Sequence, residues 1–171
     1  MLGVVLLIPN GANGQVWEVQ GSAGTTVTDP GHSLAIGAGF SPTSRVTFQL
    51  TAERTHLSGG TRRDGDVISS IRGGTLLLGT AEVRVTPLGR DRIGPFVLGG
   101  VAAGVSHPNV NATFPGQVAN DVRALVVGGG LQVPLRGGVA LVAEGRFVFG
   151  ADGPEGIVAV APLRVGIGWR F

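Results

Sequence analysis

The chain has no cysteine, no lysine and no tyrosine, and only 14% of its 171 residues are charged. Without cysteine, neither a disulfide framework nor a thiolate-ligated metal site can form. Without lysine, all 13 basic residues are arginine, which lifts the pI to about 10.9 while the net charge stays at +2. Those charges are scattered, and no basic run carries interleaved aromatics, so no nucleic-acid partner is expected. An average soluble domain is about 25% charged, so this chain is short of the charge a soluble surface carries. Long hydrophobic runs are missing too. No uninterrupted apolar stretch reaches the roughly 18 residues of a membrane-spanning helix.

The residues present are as unusual as those missing. There are 31 glycines, and the mean hydropathy is +0.33. A chain this apolar without spanning helices has one other way to satisfy its backbone inside a bilayer, a closed β-barrel. Its length suits one domain. The final nine residues, LRVGIGWRF, show the local pattern: Leu163, Val165, Ile167, Trp169 and Phe171 on one face, Arg164, Gly166, Gly168 and Arg170 on the other. Alternation with period two is a strand between two different environments.

Turn signals divide residues 15–171 into eight such segments. They run from Gln15 to about Gly24, Ser33 to Phe40, Arg45 to Leu57, Ile71 to Thr86, Ile93 to Ser106, Asp121 to Val133, Gly138 to Phe149 and Val158 to Phe171. The connections after the second, fourth and sixth are short and contain Pro42, Pro87 and Pro134; those after the first, third, fifth and seventh are longer and polar. The fold class expected is all-β, an eight-stranded antiparallel up-and-down transmembrane β-barrel with short turns on one side and long loops on the other.

Six of the eight segments divide into an apolar face and a polar or small one; the fifth and sixth are too uniformly apolar to assign. The charged face cannot be the outer wall of a soluble ligand-binding barrel, which needs many more charges. It is expected to line the lumen, where Glu18, Glu53, Glu82 and Glu144 meet Arg84, Arg146, Arg164 and Arg170 in a neutralising network. A small barrel is just wide enough to be filled by such side chains. The aromatics Trp17, Phe40, Phe48, Phe96, Trp169 and Phe171 fall near the short-turn ends of their segments, with Phe147 and Phe149 at the opposite end, as two interfacial girdles would.

Arg164, Gly166, Trp169 and Phe171 resemble, position by position, the carboxy-terminal β-signal of bacterial outer-membrane proteins, and the chain resembles the small OmpA/OmpX-type eight-stranded barrel family. That resemblance implies a bacterial outer-membrane location and recognition by the barrel assembly machinery during biogenesis. It also implies contact with outer-membrane lipid and lipopolysaccharide, and a monomer with a structural or surface-interaction role. Residues 1–14 read as the back half of a secretory signal, with apolar Leu2 to Ile8 and small residues Ala12 and Gly14 before a cleavage point; a first strand or inward plug is the other reading. Arg54 continues the outward set Val46, Phe48, Leu50 and Ala52, and is expected to contact lipopolysaccharide at the outer interface.

Some barrels of this kind modify lipid A, and candidate groups here are His32 with Ser33, His56, and Ser106 with His107. Neighbours in a strand point to opposite faces, so no Ser–His dyad follows from these pairs. No catalytic residue, metal site or cofactor is expected, and no i, i+2 or i, i+4 histidine pair is present. A narrow channel is the alternative, because inward Gly37, Gly39, Gly166 and Gly168 could leave a water-filled gap.

Overall fold

In the computed structural model the alternating segments are all strands. The structure describes residues 15–27, 30–64, 67–71, 73–109, 119–153 and 156–171; the signal-like residues 1–14 lie outside that set. In chain order the strands are β1 (Val16–Thr26), β2 (Gly31–Ser41), β3 (Val46–Leu57), β4 (Gly60–Asp64), β5 (Val67–Ile71), β6 (Gly74–Val85), β7 (Gly94–Pro108), β8 (Asn120–Pro134), β9 (Val139–Asp152), β10 (Gly156–Val160) and β11 (Pro162–Arg170).

Neighbouring strands pair antiparallel around a single sheet, and β11 pairs with β1 from Glu18↔Arg170 to Thr26↔Pro162, which closes it. Beyond the last strand residue, Trp17 and Phe171 exchange two backbone hydrogen bonds of 3.0 Å. The barrel sheet thereby closes on itself, and apart from the outer side of β10 each of its described strands has a neighbour on both sides. β10 and β11 are one stave. Both pair with β9 in the same register, and the ladder lapses only around Ala161 and Pro162, because proline has no N–H to donate. The barrel therefore has eight staves, as the punctuation of the sequence implied.

Three expectations about the connections need correction. The strands run further toward the long-loop end than the turn signals suggested, so the links after β1 and β9 shrink to residues 27–30 and 153–155. The loop after β3 holds a hairpin of its own, β4 with β5. At the other end the β6–β7 link spans residues 86–93 and is no tight turn. The loop asymmetry survives only after β3 and β7. Cross-strand pairing reached past the polar loop residues, overriding their turn preference.

The alternation holds on every stave whose side chains are described. Outward residues include Leu34, Ile36, Leu50, Val101, Leu125, Val165 and Ile167, each more than half exposed. Inward residues include Glu18, Gln20, Glu53, Thr55, Arg84 and Arg164, each at most 5% exposed. The molecule is thus apolar outside and charged within, the reverse of a water-soluble barrel.

The lumen is not charged throughout. Leu76, Leu78, Leu98, Ala102, Val122, Ala124, Val126, Val142, Val148, Val158 and Val160 form one buried apolar cluster. It occupies the β6–β10 side and reaches toward the long-loop end. This explains why the fifth and sixth segments showed no parity: β7 and β8 face apolar surroundings on both sides. Each buried Val or Leu contributes about 1.5–3 kcal/mol relative to exposure to water.

Candidate functional site

The charged residues of the lumen fall into two groups. Near the short-turn end, Glu18 on β1 accepts from Arg84 Nη1 on β6 at 3.0 Å and from Arg170 Nε on β11 at 2.9 Å. Arg84 Nη2 also donates to Gln20 Oε1 and Gln49 Oε1, both at 2.7 Å. The Arg84 guanidinium carbon stands 4.8 Å from the centre of the Phe96 ring, a cation–π contact in a desolvated site. Arg170 reaches the Arg90 carbonyl at 2.7 Å and Gln132 Oε1 at 3.2 Å.

Arg90 comes from the β6–β7 link, so that link folds over the mouth of the barrel. Gln132 Nε2 donates to the same carbonyl at 2.9 Å, and the Arg90 amide bonds Ser44 O at 2.8 Å in the β2–β3 turn. Burial pushes the Arg90 guanidinium below its ordinary pKa, and the carboxylate of Asp91 works against that shift.

The second group lies at mid-barrel. Arg146 on β9 pairs with Glu82 on β6 and, through Nε at 3.1 Å, with Glu144 on its own strand. Arg164 on β11 lies 2.9 Å from Glu53 Oε2 and 3.0 Å from Glu144 Oε1. The Arg164 pairs are close in distance but poorly aligned in angle, so charge rather than directed bonds holds this guanidinium. Glu53 Oε1 accepts from Ser33 at 3.1 Å and from Thr55 at 2.9 Å. Glu82 keeps one oxygen, Oε2, without a hydrogen-bond partner among the described residues.

All eight charged residues expected in the lumen are there, but their stoichiometry is uneven. Glu18 serves two arginines, while Glu53, Glu82 and Glu144 serve the other two. The sequence shows Gln20 and Gln49 in phase with Glu18 and Glu53, but not that they complete the Arg84 site. It gave no sign of the Arg90 carbonyl or Gln132. With Arg84, Arg146 and Arg164 at most 4% exposed, these side chains do not line an open, water-filled passage.

The aromatic girdle is a row across four neighbouring strand positions. Phe171 pairs with Trp17, Trp17 with Phe40 and Phe40 with Phe48. Trp17 and Phe40 have ring centres 5.1 Å apart, and Trp169 and Phe171 5.6 Å. Phe147 and Phe149 stack toward the other end at 6.4 Å. Phe96 is a correction. It is 2% exposed and points into the lumen, seated against Gly130, where an added Cβ would stand 2.8 Å from its Cζ. Its place in the chain suggested the girdle; parity, unreadable in β7, decides otherwise.

Of the terminal motif, Arg164 and Gly166 face inward and Trp169 faces outward. Arg54 is exposed on the outer wall, opposite Leu34 and Leu77. The hydroxyl groups considered for catalysis are engaged elsewhere: Ser33 on Glu53, and Ser106 on Asp152 Oδ1 at 2.5 Å. His32 and His107 are exposed on the opposite face of their strands. Neither Ser–His neighbour pair is a dyad.

Comparison with known proteins gives fold-level matches. No protein-family model and no curated protein sequence matches the chain. Among solved structures, it is similar to the N-terminal β-barrel domain of Pseudomonas aeruginosa OprF, with 14% identity, a TM-score of 0.65, and 93% of this chain and 98% of that one covered. Neisserial surface protein A matches at 13% identity and a TM-score of 0.64, covering 92% and 96%. The attachment invasion locus protein Ail of Yersinia pestis matches at 15% identity and a TM-score of 0.57, covering 94% and 100%. At such identities the likeness establishes the eight-stranded barrel and nothing finer.

Proposed function

We propose that this chain is an integral barrel of a bacterial outer membrane, non-enzymatic, with a filled lumen and a structural or surface-interaction role. The observation carrying the reading is the inverted distribution of polarity. Leu34, Ile36, Leu50, Val101, Leu125, Val165 and Ile167 would face water in a soluble molecule, while four carboxylates and four guanidinium groups point inward. A large exposed apolar surface marks contact with an apolar partner, and here that surface runs around the wall. Lipid satisfies it on every side at once. The aromatic row at one end and the stacked pair toward the other fit two membrane interfaces.

Within this reading, Trp169, Phe171, Gly166 and Arg164 serve as the assembly signal, and Arg54 meets lipopolysaccharide phosphate in the outer leaflet. The filled lumen and the β6–β7 link over its mouth favour a closed barrel over a channel. Membrane fractionation of cells expressing the chain tests the proposal. The protein should stay with the membrane through alkaline wash, dissolve only in detergent, and migrate differently on gels before and after heating. A monomer soluble without detergent would end this reading.

A further inference from the structure

We infer that His32 and His56 form a surface site for a late first-row divalent metal ion at the long-loop rim. Adjacent strands bring them together. His32 is the second residue of β2, His56 the last but one of β3, and the two are directly opposed in register. Their ring centres lie 5.1 Å apart. Two imidazole nitrogens at about 2.0–2.1 Å from one tetrahedral ion place their ring centres roughly 5 Å apart. The rings already have the spacing that chelation needs, on the outward face of the wall, with His32 exposed and His56 half-buried.

The second observation concerns the ring nitrogen facing away from the ion. His56 Nδ1 lies 3.4 Å from Thr75 Oγ1 on β6, the strand on its other side. A metal-binding histidine ordinarily gives its remaining N–H to a carboxylate, backbone carbonyl or water, which fixes the tautomer and directs the free lone pair; a hydroxyl oxygen can accept in the same way. With Thr75 accepting from Nδ1–H, Nε2 of His56 is left to bind. Imidazole ligands suit Cu²⁺, Ni²⁺ and Zn²⁺ rather than Mg²⁺ or Ca²⁺, which require oxygen. Among the described residues no third His, Cys, Asp or Glu joins the pair. Neither residue takes part in the lumen network. Sequence spacing could not show this site, since the two residues stand 24 positions apart in the chain and meet only through strand pairing.

The test uses the tag-free chain folded in detergent micelles, titrated with Cu²⁺ or Zn²⁺ chloride and followed by calorimetry and, for Cu²⁺, electron paramagnetic resonance. One ion per chain should bind, with two nitrogens in the copper signal. H32N and H56N should each weaken binding at least tenfold and remove one nitrogen, while H107N, across Thr75 on β7, should bind as wild type. Heat-modifiable migration of each variant confirms that the barrel is folded. Absence of a 1:1 complex, affinity unchanged in H32N and H56N, or an equal loss in H107N would each overturn the assignment.

Discussion

Replacing Glu18 by Gln should destabilise the barrel far more than replacing Glu82 by Gln, although both are buried lumen carboxylates. Glu18 is the one buried carboxylate that both Arg84 and Arg170 contact, at 3.0 and 2.9 Å. Asp91 is 3.9 Å from Arg170, and its side chain is 78% exposed. Removing the Glu18 charge leaves Arg84 with the neutral acceptors Gln20 and Gln49, and Arg170 with Gln132, the Arg90 carbonyl and the distant, solvent-screened Asp91. Breaking a buried pair in this way costs about 3–5 kcal/mol. At mid-barrel three carboxylates serve two guanidinium groups, and Glu82 already has an oxygen without a partner. Glu82→Gln brings that group to two of each and keeps an acceptor for Arg146, so about 1–2 kcal/mol is expected, the scale of one weakened hydrogen bond. The gap of about 2 kcal/mol is some thirtyfold in the unfolding equilibrium. Reversible urea unfolding in micelles, followed by tryptophan fluorescence, measures it. Equal losses, or a larger loss in Glu82→Gln, would refute the uneven stoichiometry as the controlling factor.

Three further outcomes are expected. Deleting Phe171, or changing Trp169 and Phe171 to Ala, should reduce insertion in cells more than stability after refolding in detergent, because the motif is proposed as an assembly address; wild-type insertion in cells would remove that role. Gly130→Ala should lower the unfolding midpoint, because the added Cβ would run into the Ala143 carbonyl oxygen on β9 and stand 2.8 Å from Phe96 Cζ, an overpacking cost of at least about 1–3 kcal/mol; an unchanged midpoint would count against the close strand approach described. Arg54→Gln should lose stability in bilayers containing lipopolysaccharide and little in neutral lipid. Arg54 lies about 19 Å beyond Val46 along the membrane normal, where a lipid-facing arginine costs only about 0–1 kcal/mol; equal losses in both bilayers would exclude the phosphate contact.

The parts of the fold legible in the sequence are those where the two faces of a strand differ chemically. Glu18 and Gln20 against Trp17 and Val19, or Glu144 and Arg146 against Ala143 and Phe147, fix parity outright. They thereby place the eight lumen charges and the outward Arg54. Where both faces are apolar, as along Val97 to Val101 and Leu125 to Val127, parity is silent, and for Phe96 only its position along the strand is legible. The division of charges into two unequal groups was also hidden, because it depends on which strands stand across the lumen. So were the His32–His56 pairing and the Arg90 carbonyl, both products of register. The β4–β5 hairpin has a sequence signal in the Gly65-Asp66 dipeptide, which separates the paired residues Asp64 and Val67.

The central claim is that the apolar wall meets lipid and the charged lumen is closed. Spin labels at outward Leu50 and inward Thr51, adjacent on β3, test both parts in one reconstituted sample. The label at Leu50, whose side chain is 67% exposed in the isolated barrel, should collide freely with oxygen dissolved in lipid and hardly at all with a water-soluble nickel chelate. The label at Thr51, which is 6% exposed, should be shielded from both. Strong collision of the Leu50 label with the aqueous reagent would contradict the membrane placement, and strong collision of the Thr51 label with it would open the lumen.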